Sequence, residues 1–155
     1  KMVEKMTFKA PNEVLAYLKK DAYEDALKGV PSDVLHMIGQ LQNTGGCSEE
    51  NAKKVIAVIE QMPPISKELI AWRCGDMKGA GKGFVSATLW EDVAKKHQGY
   101  HRFSRIHPIV ISAGARFLPL APVNGMLFGL YDDPELEVLL NTKHLVKRGG
   151  AYLYI

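Results

Sequence analysis

The chain has 155 residues, 46% of them hydrophobic and 24% charged, with a net charge of +3. That length suits one domain with a real core and no need of disulfide staples, and the composition fits neither a disordered chain nor a membrane span. The mild basic excess suits an anionic ligand and falls short of a dedicated nucleic-acid binder.

The N-terminal KMVEKMTF has no apolar run followed by a small-residue cleavage site, so no secretory signal is read there. Cys47 and Cys74 form no CxxC and lie in different segments. Free thiols in a reducing, cytoplasmic compartment are the simplest reading, with neither a zinc site nor a disulfide framework.

Residues 1–62 read as a helical lobe. Pro11 suits an early helix position, and Val14, Leu15, Leu18 and Tyr23 follow at helical spacing until Gly29. A second helix starts at Pro31-Ser32-Asp33, carries Val34, Leu35, Ile38 and Leu41, and stops at the breaker Asn43-Thr44-Gly45-Gly46. Ser48 is an N-cap candidate for a third, which runs through Val55, Ile56, Val58 and Ile59 to Pro63-Pro64.

Residues 65–155 read as a strand-rich core. Glu68 to Arg73 is a strand, CGDMKGAGKG a glycine-rich loop, and Phe84 to Thr88 a second strand. Leu89 to His97 looks helical, with Thr88 as its N-cap and Glu91 and Asp92 in the first turn. Ile106 to Ser112 and Arg116 to Leu120 flank Ala113-Gly114-Ala115 like the arms of a hairpin. Glu135 to Leu140 and Ala151 to Ile155 complete the strands. Helices first and strands later indicate an α+β fold.

Taken singly, the candidate chemical features have plain readings. GDMKGAGKG lacks the Ser or Thr of a Walker A loop and opens no helix, which favours a flexible connection over a phosphate cradle. Lys95 to His107 gathers cations with Tyr100 and Phe103, which suits a solvated loop and also the phosphates and rings of a nucleotide. His97 and His101 have helical spacing, but Gly99 lies between them and no HExxH motif is present, so no metal is expected. Arg73 at a strand end reaches either solvent or an anion in a cleft. Ser86 and Thr88 are surface residues or pocket hydroxyls. Glu135 and Glu137 alternate with Leu136, Val138 and Leu140, so strand periodicity makes them either a wet face or a pair acting on one molecule.

Their order is informative. Trp72-Arg73-Cys74-Gly75, then Phe84-Val85-Ser86-Ala87-Thr88, then Glu135-Leu136-Glu137-Val138-Leu139-Leu140 resembles the arginine, serine, glutamate signature of mono-ADP-ribosyltransferases. In that family it reads as an aromatic-Arg-Gly strand end, an F-x-S-T-S strand and an E-x-E-V-L-L strand. Cys74 departs from the usual Gly, with Gly75 one place later, and Ala87-Thr88 replaces Thr-Ser.

The resemblance implies a single catalytic domain over residues 1–155, with a helical N-terminal lobe and an ADP-ribosyltransferase-like core of two packed β-sheets. It implies NAD as ADP-ribose donor and no metal. Glu137 would stabilise the oxocarbenium-like transition state, Ser86 would hold that carboxylate, and Arg73 would bind the phosphate and ribose region. The backbone of Cys74 and Gly75 would hold the nicotinamide amide, with Thr88 and Phe103 also against the donor. The E-x-E form implies an arginine acceptor on a target protein, deprotonated by Glu135. Phe128 and Tyr131, in the segment from Ala121 to Pro134, would contact that protein. A bacterial effector acting in a host cytoplasm, or a phage enzyme, fits such a chain. NAD glycohydrolysis, an RNA-linked NAD donor and a non-catalytic nucleotide- or nucleic-acid-binding module are the alternatives.

Overall fold

The computed structural model describes residues 8–41, 47–100 and 104–155, and helices open the described part of the chain. They are α1 (Pro11–Tyr17), α2 (Lys20–Leu27), α3 (Ser32–Gly39) and α4 (Glu49–Glu60). The cap expected at Ser48 is present: its side chain accepts the Asn51 N–H at 3.1 Å, satisfying one of the unpaired donors of the first turn of α4. The single helix expected from Pro11 to Gly29 is two, because Leu18 is extended at ψ 120° and the chain restarts at Lys20. A distant residue takes part at that break. The Tyr131 hydroxyl donates toward the carbonyls of Leu15 and Leu18, supplying partners that helix ends lack.

Strands follow: β1 (Leu69–Cys74), β2 (Phe84–Thr88), β3 (Ile106–Ile111), β4 (Leu118–Pro119), β5 (Glu137–Asn141), β6 (Leu145–Arg148) and β7 (Ala151–Tyr154). They form one sheet in the order β4-β5-β2-β1-β3-β7-β6, and only β3 and β7 pair in parallel. The α+β architecture is as expected, with one difference. The two expected sheets are joined into a continuous sheet through the pair Trp72 and Thr88, the one register contact between β1 and β2. Beyond it Arg73 Nη1 donates to the Ser86 carbonyl at 2.7 Å, so a side chain links the two strands where backbone pairing has ended.

The hairpin expected around Ala113-Gly114-Ala115 is not formed. β3 lies between β1 and β7, while β4 pairs with β5. The Gly114 N–H donates to the Ile65 carbonyl and the Ala115 carbonyl accepts the Ile65 N–H, so this turn binds the strand approaching β1. Pro119 then ends the two-residue β4, and the apolar run Leu120–Phe128 forms a helix the sequence reading did not assign. We number the helix Glu91–Tyr100 α5 and Leu120–Phe128 α6. Helix α5 packs on β1, and α6 on α2 and α3.

The core joins these layers. Leu27, Ile38, Ile59 and Met62 from the helical segment and Leu69, Ile109, Ile111, Phe117 and Leu140 from the remainder are all at most 1% exposed. Each such side chain contributes about 1.5–3 kcal/mol on removal from water. One glycine of the glycine-rich loop is required by close approach. A Cβ at Gly79 would collide with the Phe84 carbonyl, and the residue sits at φ +65°, which glycine alone adopts readily. Gly79 thus allows a tight return into β2.

Candidate active site

The ends of β1, β2 and β5 meet at a pair of adjoining clefts of about 150 and 500 Å³. Arg73, Ser86, His97, Glu135 and Glu137 line both. The three segments quoted in the sequence are thus brought to one place. Antiparallel pairing of β2 with β5 puts Glu137 opposite Thr88 and Leu139 opposite Ser86, so all four share one face of the sheet.

Arg73 is half-buried. Besides the Ser86 carbonyl, Nη1 lies 3.5 Å from Ser86 Oγ, and Nε donates to the Asp76 carbonyl at 2.5 Å. Burial pulls its pKa down, opposed by the negative charges of Asp76, Cys74 and Glu137. A desolvated guanidinium fixed at one edge favours an anion in the cleft.

Thr88 is 6% exposed, and its hydroxyl has a specific use. Oγ1 donates to the Glu135 carbonyl at 2.6 Å and accepts the Trp90 N–H at 3.1 Å. Its residue lines the smaller cleft, but the hydroxyl that sequence reading assigned to the donor holds the acidic turn instead. The helix expected from Leu89 with Thr88 as its N-cap starts instead at Glu91, so Thr88 stands ahead of the N-cap position and its hydroxyl accepts the N–H of Trp90 before the helix.

The two glutamates are not residues of one regular strand. β5 begins at Glu137, whereas Glu135 lies in a turn closed by the Leu136 N–H donating to the Asp133 carbonyl. Leu136 stands at φ +44° and is 4% exposed. This left-handed conformation costs a non-glycine residue about 1–2 kcal/mol. Asp133 offsets it. That residue is 3% exposed; Oδ1 accepts the Glu135 N–H at 3.1 Å and Oδ2 the Glu137 N–H at 2.8 Å. Hydrogen bonds to a charged group contribute about 1.5–3 kcal/mol each. The sequence reading missed Asp133; its signal was the Asp-Pro pair, which favours turn initiation.

Other expected residues fall elsewhere. Gly75, at φ +118°, donates its N–H to the Arg105 carbonyl and lines neither cleft, so that amide is not directed at a ligand. Cys74 does line the smaller one. Phe103 lies outside the described residues, as does His101. Tyr131 does not face the clefts: its hydroxyl is against α1, Lys20 lies over its ring, and burial with the charge of Glu24 pushes its pKa up to about 12. Phe128 ends α6 and is 72% exposed, away from both clefts but open to a partner.

In the sequence His97 belongs to the basic segment from Lys95 to His107 and is not expected to bind a metal, and no role with Glu135 is read for it. Helix α5 instead brings its Nε2 to 3.8 Å from Glu135 Oε2. Among the described residues no group of three His, Cys, Asp or Glu side chains is arranged to hold a metal ion.

No model of a protein family matches the sequence, and no curated protein matches it. Solved structures do. An ADP-ribosyltransferase toxin from Paenibacillus larvae superposes with a TM-score of 0.53 at 12% identity, over 98% of this chain and 96% of that one. An ADP-ribosyltransferase from Clostridium botulinum gives 0.50 at 15% identity, over 97% and 96%. The ADP-ribosyltransferase Vis, in complex with an inhibitor, gives 0.50 at 9% identity, over 96% and 85%. The chain has the ADP-ribosyltransferase fold.

Within that fold the clefts combine a half-buried cation, hydroxyls and two carboxylates with one residue between them in the chain. The arrangement can bind a phosphate at Arg73 and stabilise positive charge at Glu137. No helix among the described residues is long and apolar enough to cross a membrane.

Proposed function

We propose that the chain is a NAD-dependent mono-ADP-ribosyltransferase whose acceptor is an arginine side chain. The observation that carries this reading is the convergence of Arg73, Ser86, Glu135 and Glu137 on one cleft of an ADP-ribosyltransferase fold. Residues 1–62 and 65–155 then serve as the helical lobe and NAD-binding core of one catalytic unit.

In this reading Arg73 receives the donor's phosphates and Glu137 faces the nicotinamide ribose. The glycosidic bond breaks with both electrons leaving on the nicotinamide nitrogen, and the Glu137 carboxylate stabilises the resulting oxocarbenium ion. Ser86, joined to Arg73, keeps the donor and carboxylate sides of the cleft in register. A guanidinium nitrogen then forms the new bond to the ribose carbon and loses its proton to Glu135. Removing that proton matters because a free guanidinium, with a pKa above ~12, is a poor nucleophile. The exposed Phe128 and its neighbour Leu130 offer apolar contact to a target protein. The toxins among the solved structures support an effector role inside a recipient cell. The exposed Lys95, Lys96 and Arg105 would accommodate a larger, RNA-linked NAD donor.

Incubation with labelled NAD and the arginine analogue agmatine, or a cell lysate, tests the reading. Labelled agmatine or protein is expected, and Glu137→Gln should lower it by about 10²–10³-fold, the scale of a lost transition-state charge interaction. Nicotinamide release with no labelled acceptor would make the chain a glycohydrolase. Salt-sensitive nucleic-acid binding without NAD cleavage would make it a binding module.

A further inference from the structure

Resting on the transferase reading, we propose that Asp133 is a positioning residue that fixes the acceptor-side and donor-side carboxylates relative to each other, and so sets the share of ADP-ribose that reaches an acceptor rather than water. Asp133 lines neither of the two clefts that Glu135 and Glu137 share, and it lies 3% exposed beneath the turn that carries them. It acts through backbone.

The geometry is specific. One carboxylate oxygen holds the N–H of Glu135 and the other the N–H of Glu137, at 3.1 and 2.8 Å. Between the two glutamates stands only Leu136, at φ +44°. N–H groups on either side of a left-handed residue converge on a concavity that binds an anion, here the side chain of Asp133. The Leu136 N–H between them donates to the Asp133 carbonyl. The turn is held from outside as well: Thr88 Oγ1 donates to the Glu135 carbonyl, and the Leu89 N–H to the Leu136 carbonyl.

Leu136 is the sole hinge between the proposed donor-side and acceptor-side groups. If it leaves the left-handed region, Glu135 swings relative to Glu137 while β5, paired with β2, stays in place. Glu137 would then still meet the ribose, but the base for the acceptor would be displaced. Misplacement of a catalytic group by about 1 Å costs on the order of 10²-fold in rate. Transfer is therefore more sensitive to this clamp than hydrolysis.

The test compares Asp133→Asn and Asp133→Ala with the parent chain. Asn retains one accepting oxygen and Ala none, so a graded effect is expected. For Asp133→Ala, transfer to agmatine should fall by about 10²-fold in kcat, with KM for NAD changed by less than about 3-fold and nicotinamide release reduced less than transfer. Amide resonances of Glu135 and Glu137 should both lose their downfield position and slow exchange in Asp133→Ala, and one of the two in Asp133→Asn, while core amides such as those of Ile109 and Leu140 keep theirs. In a Glu135→Ala background, Asp133→Asn should have little further effect on transfer, because positioning an absent carboxylate changes nothing.

An unchanged transfer-to-hydrolysis ratio, or full additivity with Glu135→Ala, would overturn the proposal. So would amide signals of Glu135 and Glu137 like those of the parent chain. Absence of NAD cleavage in the parent chain would instead overturn the transferase reading, and the amide signals would still decide the clamp.

Discussion

Replacing Thr88 by valine removes one oxygen from a buried point that joins β2, α5 and the acidic turn. The hydroxyl donates to the Glu135 carbonyl at 2.6 Å and accepts the Trp90 N–H at 3.1 Å, and the residue is 6% exposed. Valine has nearly the same shape, so little packing is lost, but two backbone groups lose a partner. At about 0.5–1.5 kcal/mol net per bond, the loss is about 1–3 kcal/mol. For a chain of this size that corresponds to a melting temperature lower by about 3–9 °C, and Thr88→Ser should recover most of it. Thermal melts of the three proteins, with NAD binding followed in parallel, check this. If the hydroxyl contacts the donor instead, Thr88→Val would weaken NAD binding while melting within about 1 °C of the parent, and the structural role argued for it would be refuted.

Three further outcomes are expected. Glu135→Ala should lower transfer to agmatine by about 10²-fold, to a residual rate that is still measurable, while retaining most nicotinamide release, measured on one sample; equal loss of both would remove the division of roles between the glutamates. Arg73→Lys should weaken NAD binding by about tenfold or more and also lower the melting temperature, because an ammonium cannot reproduce two differently directed bonds, to Ser86 and to Asp76. A variant with normal stability would show that the link between β1 and β2 is dispensable. Glu60→Gln should narrow the acid limb of stability. Burial pushes the Glu60 pKa up, but hydrogen bonds from His144 and Asn141, with the charges of His144 and Lys143, leave it below the ordinary glutamate value. A folded pKa below the unfolded one stabilises above the unfolded value and is lost as the pH falls through the folded one. The parent and Glu60→Gln should therefore differ in stability at neutral pH and converge in acid, as read by denaturant melts across that range.

The elements most legible in sequence were those whose signals are local. Ser48 declares the start of α4 by its own side chain, Phe84–Thr88 alternates as a strand should, and Pro63-Pro64 ends a helix wherever it stands. The unassigned α6 shows the reverse. Leu120–Phe128 is apolar nearly all round, contains a proline and a glycine, and follows a two-residue strand, so its periodicity names no face. It is helical because α2 and α3 provide apolar surface on which it packs. The break between α1 and α2 is likewise supported by Tyr131, more than a hundred residues away.

For the site, the sequence by itself determined which side chains are available, Arg73, Ser86, Glu135 and Glu137, and the order in which the chain presents them. Tertiary structure decided how they are used. Strand alternation treats Glu135 and Glu137 as equivalent neighbours, whereas the fold places one in a turn and the other on β5, separated by a left-handed leucine. It also assigned Thr88 to the Glu135 carbonyl, Gly75 to Arg105 and Tyr131 to α1. The physical reason is that a side chain's chemistry is intrinsic, but its hydrogen-bond partner depends on which distant backbone group the fold delivers within about 3 Å of it.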